Sequence, residues 1–131
     1  MKAIYLILIL LFLAACGDAS ADNNTVQLTV AGNDTLSFTP DLMTVSTDSN
    51  IALTFKNAGN LDHNFILTNE AVDLLTVSQT DAIAGVQSET LTGGETATLR
   101  FVAPEIGRYR YVCVVPGHAA SGMVGDLVVE P

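Results

Sequence analysis

Tyr111-Val112-Cys113-Val114-Val115-Pro116-Gly117-His118-Ala119-Ala120-Ser121-Gly122-Met123 carries a thiol, an imidazole and a thioether on one short loop, with four residues between each donor and the next. With a second imidazole these donors make the two-His, one-Cys, weak-Met set that holds copper for electron transfer. His63 can supply it, because His63 and His118 are the only histidines in the chain. The candidate metal ligands are therefore His63, Cys113, His118 and Met123. His63 lies far from the loop in sequence, so the set closes only in a fold that brings a separate segment against it. Gly117 and Gly122 permit tight turns within the loop, and Pro116 stiffens it.

The surrounding sequence reads as β-structure. Residues 26–30 alternate apolar and polar, as a half-buried strand does. Segments 35–39 and 43–46 follow, separated by the turn signal Pro40-Asp41. Residues 51–57 alternate again, Ala58-Gly59-Asn60 breaks that strand, and 63–67 starts another. Gly93-Gly94 turns the chain into 96–101, residues 104–107 turn it into 108–113, and 124–129 forms the last strand. Between them, residues 70–84 place Val72, Leu75 and Gln79 near a helical period and predict one or two short helical turns. Many short strands with a turn about every ten residues indicate an all-β sandwich of two sheets with a short helical insertion. Tyr109 and Tyr111 alternate with Arg108 and Arg110 and so share one sheet face. Met43 reads as core packing.

At 131 residues the chain suits one small domain. Lys2 precedes an uncharged apolar run, residues 4–15, that is too short to span a bilayer but suits the h-region of a secretory signal. Leu13-Ala14-Ala15-Cys16 resembles the lipobox of bacterial lipoproteins, which implies lipidation of Cys16; an ordinary signal cut near Ala19 or Ala21 would instead remove that cysteine. The expected division is a signal peptide at 1–15, a lipidated Cys16 with a flexible tether to residue 24, and a folded domain at 25–131. The expected location is extracytoplasmic, in the periplasm or on the outer face of the cytoplasmic membrane, held by the lipid anchor. Disulfides are permitted there, yet with Cys16 lipidated Cys113 has no partner. Metal ligation explains an unpaired thiol in such a compartment; a buried structural cysteine is the plainer alternative. The formal charge of −9 disfavours nucleic acid and anionic lipid headgroups as partners. It would steer in a basic redox protein, although acidity also serves solubility.

Asp62-His63-Asn64, the Tyr111–His118 run with Met123 after it, and the closing stretch 122–129 together resemble the cupredoxins, the small blue copper proteins. Among them the equal loop spacings are most similar to the auracyanins, with azurin and plastocyanin more distant. The resemblance spans residues 25–131. It implies a Greek-key β-sandwich holding one copper that cycles between Cu(I) and Cu(II), monomeric by default. It also implies that Asn64 braces the ligand loop and points its backbone N–H at the Cys113 sulfur. Val115, unlike a proline, keeps an N–H for a second bond to that sulfur. Val114 departs from the hydroxyl residue often found after the cysteine, which puts the side-chain part of the Asn64 brace in question. The implied partners are redox proteins: a cytochrome-containing membrane complex as donor, and a photosynthetic reaction centre or terminal oxidase as acceptor. Electrons are expected to pass at the His118 edge, within an apolar patch of Pro116, Gly117, Ala119 and Ala120.

Other classes fit less well. Copper enzymes need clusters with more histidines than the two present, so the chain reads as an electron carrier and not an enzyme. A copper or zinc binding or delivery protein is the alternative. Zinc could sit on His63, Cys113 and His118 with water, which would leave Met123 idle, and no Met- or His-rich delivery tract is present.

Overall fold

The computed structural model describes residues 24–131; the expected signal peptide at 1–15 and Cys16 lie outside the described residues. Eight strands follow in order: β1 (Thr25–Asn33), β2 (Ser37–Thr39), β3 (Leu42–Ser46), β4 (Asn50–Asn57), β5 (Ile66–Asn69), β6 (Thr96–Val102), β7 (Gly107–Val112) and β8 (Val124–Glu130). They form two four-stranded sheets, ordered β2-β1-β4-β6 and β3-β8-β7-β5. Each sheet is mixed, with β1 parallel to β4 and β3 parallel to β8. This is the expected Greek-key sandwich, and its strands fall close to the segments read from alternation.

Alternation is strict where one face meets solvent. In β8, Gly125, Leu127 and Val129 are buried while their neighbours are half-exposed or exposed, and in β3 the buried positions are Met43 and Val45. The central β4 breaks the pattern because Ile51, Ala52 and Leu53 are all buried. Between the sheets lies an aromatic cluster. Phe38 meets Tyr111 edge-on at 5.3 Å, and Phe65 stacks on Tyr111 at the same centroid distance. Phe55 packs on Phe38 and Phe65. Such pairs contribute about 0.5–1.5 kcal/mol each beyond their buried area. They draw rings from both sheets directly beneath the Cys113 end of β7. Tyr111 and Tyr109 do share the inward face, while Arg108 and Arg110 on the other face approach Asp126.

One expectation changes in detail. Strand 63–67 begins only at Ile66, and His63 makes an isolated bridge to Leu91. The reason is competition for backbone partners: the Phe65 N–H donates to the Ser88 hydroxyl, and Asn57 Nδ2 donates to the carbonyls of Leu61 and Leu91. The helical insertion is, as expected, short: two 3-10 turns, Gln79–Asp81 and Ile83–Gly85, and no α-helix. Neither turn buries a residue, and Leu75, one of the residues near a helical period, is 80% exposed. Without an apolar face to bury, so short a segment has no tertiary support for a longer helix.

Tyr111 lies opposite Gly125 in the β7–β8 register. Its ring covers that glycine, and a Cβ at position 125 would fall 2.2 Å from ring carbons. The phenol donates to the Pro40 carbonyl at 2.8 Å, and burial pushes it far above its ordinary pKa. Gly125→Ala is therefore expected to destabilise the copper-free protein by about 1–3 kcal/mol through overpacking, read as a lower urea midpoint at unchanged slope.

Candidate metal centre

Cys113 follows β7 directly and is wholly buried. The loop after it is tied by its own backbone: the Cys113 N–H donates to the Met123 carbonyl at 3.2 Å, and Met123 N–H donates back to His118 at 3.0 Å. The His118 N–H donates to Val115, and the Ser121 N–H to Gly117. These reversals need left-handed backbone at Gly117 (φ 86°) and Gly122 (φ 99°), which glycine adopts without steric cost. His63 comes from the segment between β4 and β5. Its N–H and C=O both bond to Leu91, which fixes the ring's approach from outside the loop.

The donors converge. One ligand atom each from His63, Cys113 and His118 lie within 4.8 Å of one another. Cys113 Sγ is 4.0 Å from His63 Nδ1 and 3.4 Å from His118 Nδ1. An ion bonded at about 2.0 Å to nitrogen and about 2.3 Å to sulfur, at trigonal angles, needs N···S edges of about 3.7 Å. The two observed edges bracket that value, so the cluster has the size that one first-row ion needs. Met123, also wholly buried, completes the set. Its methyl packs on Gly32 of β1, where a Cβ would come within 2.9 Å of it.

Protonation follows from burial. Desolvation lowers the His63 pKa, as does the nearby His118, against the opposing pull of Asp34 and Asp62; the net shift favours the neutral imidazole, the form that binds a metal. Burial raises the Cys113 thiol, while the N–H groups of Asn64 and Val115 act in the opposite sense. Of these two, the Asn64 N–H makes a full hydrogen bond to the sulfur, at 3.4 Å. Metal coordination deprotonates such a thiol outright.

The brace at Asn64 is present despite Val114. Asn64 Oδ1 accepts from the Val114 backbone N–H at 2.8 Å, so no hydroxyl is needed at that position. The side-chain hydroxyl comes from elsewhere: Asn64 Nδ2 donates to Thr90 Oγ1 at 3.3 Å. Sequence reading missed Thr90 and Gly32, since neither carries a motif: Gly32 reaches the site through the pairing of β1 with β4, and Thr90 through its place next to Leu91, the bridge partner of His63. Of the expected apolar patch, Pro116, Gly117 and Ala120 are exposed, whereas Ala119 is buried. Asn64→Ala removes the acceptor for Val114 while keeping the N–H bond to sulfur. It is expected to weaken Cu(II) binding about 10–100-fold in chelator competition, with the copper-free fold retained.

Comparison with known proteins agrees with this geometry. Residues 24–130 match the copper binding proteins of the plastocyanin/azurin family. Auracyanin-B of Chloroflexus aurantiacus is 31% identical over 89% of this chain, which spans 58% of that protein's length. The copper-resistant cuproprotein CopI of Rubrivivax gelatinosus is 26% identical over 87% of this chain and 71% of its own. Among solved structures, dithionite-reduced auracyanin of the photosynthetic bacterium Roseiflexus castenholzii superposes with a TM-score of 0.70 at 27% identity, covering 80% of this chain and 97% of that one. With two imidazoles, a thiolate and a thioether gathered at one end of a Greek-key sandwich, the chain belongs to the plastocyanin/azurin family of copper proteins, the cupredoxins.

Proposed function

We propose that this protein is a one-electron carrier, not an enzyme, that shuttles electrons between redox complexes while tethered to a membrane by lipid on Cys16. The observation that carries the reading is the unequal exposure of the ligands. His63, Cys113 and Met123 are fully buried, and His118 alone reaches the surface in part. Copper held there supplies a one-electron Cu(I)/Cu(II) couple. The buried residues exclude water and hold their donors still, so little reorganisation accompanies the change of charge. The His118 edge, flanked by exposed Pro116, Gly117 and Ala120, is the route for the electron.

The donor and acceptor follow the auracyanin likeness: a cytochrome-containing membrane complex supplies the electron, and a reaction centre or terminal oxidase receives it. The lipid places the carrier on the outer face of the cytoplasmic membrane or in the periplasm. A second reading, copper binding or delivery without electron transfer, is favoured by the similarity to CopI. The two differ in ion exchange: a carrier keeps its copper through repeated redox cycles, and a delivery protein releases it in one oxidation state.

The visible spectrum after addition of Cu(II) tests the reading. Strong blue or green absorption is expected, bleached by ascorbate, restored by ferricyanide over many cycles, and lost in Cys113→Ala. A colourless protein, or one that sheds Cu(I) to a chelator on each reduction, would sink the carrier reading.

A further inference from the structure

His63 presents an unresolved polar account. Its Nδ1 faces Cys113, so Nδ1 must offer a lone pair to the metal, and in the neutral ring the proton then sits on Nε2. That Nε2 is buried and, among the described residues, is the one buried side-chain nitrogen or oxygen without a hydrogen-bond partner. Buried donors without a partner are rare and need a physical explanation.

A carboxylate stands beside it. Asp34, in the turn between β1 and β2, holds Oδ1 3.9 Å from His63 Nε2. That oxygen cannot wander. Oδ1 accepts from the backbone N–H groups of Asn60 and Leu61 at 2.8 and 3.0 Å, and Oδ2 accepts from the Asn60 backbone and side chain, both at 3.0 Å. Gly59 leaves the room for this cradle, since a Cβ there would fall 1.9 Å from Oδ1. The segment carrying the cradle, residues 59–61, leads straight into His63. One carboxylate therefore clamps the approach of the ligand and faces the far nitrogen of its ring.

We propose that Asp34 is a positioning residue for the copper site. It selects the Nε2-protonated tautomer of His63, which leaves Nδ1 free for the metal, and its fixed negative charge favours Cu(II) over Cu(I). Metal-bound histidines commonly present their second nitrogen to a carboxylate or carbonyl, which fixes the tautomer and raises ligand basicity. Here the carboxylate comes from a turn on the neighbouring strand pair, with no motif linking it to the ligand loop.

The test uses the full chain and Asp34→Asn, which keeps an oxygen acceptor for the loop and removes the charge. Imidazole nitrogen shifts of the copper-free wild type are expected to show His63 protonated at Nε2. In Asp34→Asn, Cu(II) affinity by chelator competition is expected to fall about tenfold relative to Cu(I). For a one-electron couple that is a rise of about 59 mV in reduction potential, with the copper–thiolate absorption retained. Asp34→Ala, which loses the loop clamp as well, should lower thermal stability of the copper-free form and raise the potential at least as far. A wild-type Nδ1-protonated His63, or an Asp34→Asn potential and affinity ratio equal to wild type, would overturn the proposal and leave Asp34 a loop clamp only.

Discussion

Everything at this site depends on a thiol sealed between two sheets and still required to act as an anion. Burial alone raises the Cys113 pKa, and an isolated thiolate in such a place would be strongly unfavourable. Two features offset that cost. The Asn64 N–H donates to the sulfur, and two imidazoles stand where a shared cation can neutralise it. The sandwich is arranged to keep these groups in place: β7 ends at the cysteine, and the loop beyond returns to bond the Cys113 N–H through Met123.

Rigidity comes from linking the two ligand-bearing segments directly. Asn64, next to His63, grips the Val114 N–H next to Cys113, and Thr90 steadies the same amide from a third segment. Asn57 and Leu91 hold the chain on the other side of His63. Movement of one ligand therefore requires breaking hydrogen bonds that also fix another. Below them, the Phe38, Phe55, Phe65 and Tyr111 rings fill the space between the sheets, and Gly32 and Gly125 admit neighbouring side chains that any Cβ would push aside. A site braced in this way holds its donors in one arrangement around a single metal ion.

The same packing makes the site asymmetric. Three donors are closed off from water and the fourth reaches the edge of the molecule. The acidic Asp34 lies on the His63 side, away from the ligand loop in sequence and next to the buried ring in space. The two histidines thus have different surroundings: one is fixed and shielded, the other partly exposed at the surface.

The sequence by itself determined the donors and the fold class. Cys113, His118 and Met123 fall on one loop, and with only two histidines His63 had no competitor. Strand alternation is a local property of the chain, so β3 and β8 were legible residue by residue, whereas β4, buried at Ile51, Ala52 and Leu53 alike, was legible as a strand but not in which faces it buries. The 70–84 segment was legible only as short turns, because its apolar residues mark no buried face, and it contains no α-helix. What tertiary structure alone decided is which distant groups meet the ligands. Thr90 reaches Asn64, Gly32 reaches Met123 and Asp34 reaches His63 across separations set by sheet pairing and turn geometry. The physical reason is that a ligand's chemistry resides in its own side chain. The groups that orient it are any donors or acceptors the folded backbone brings within a few ångströms, and such contacts leave no periodicity or spacing to read.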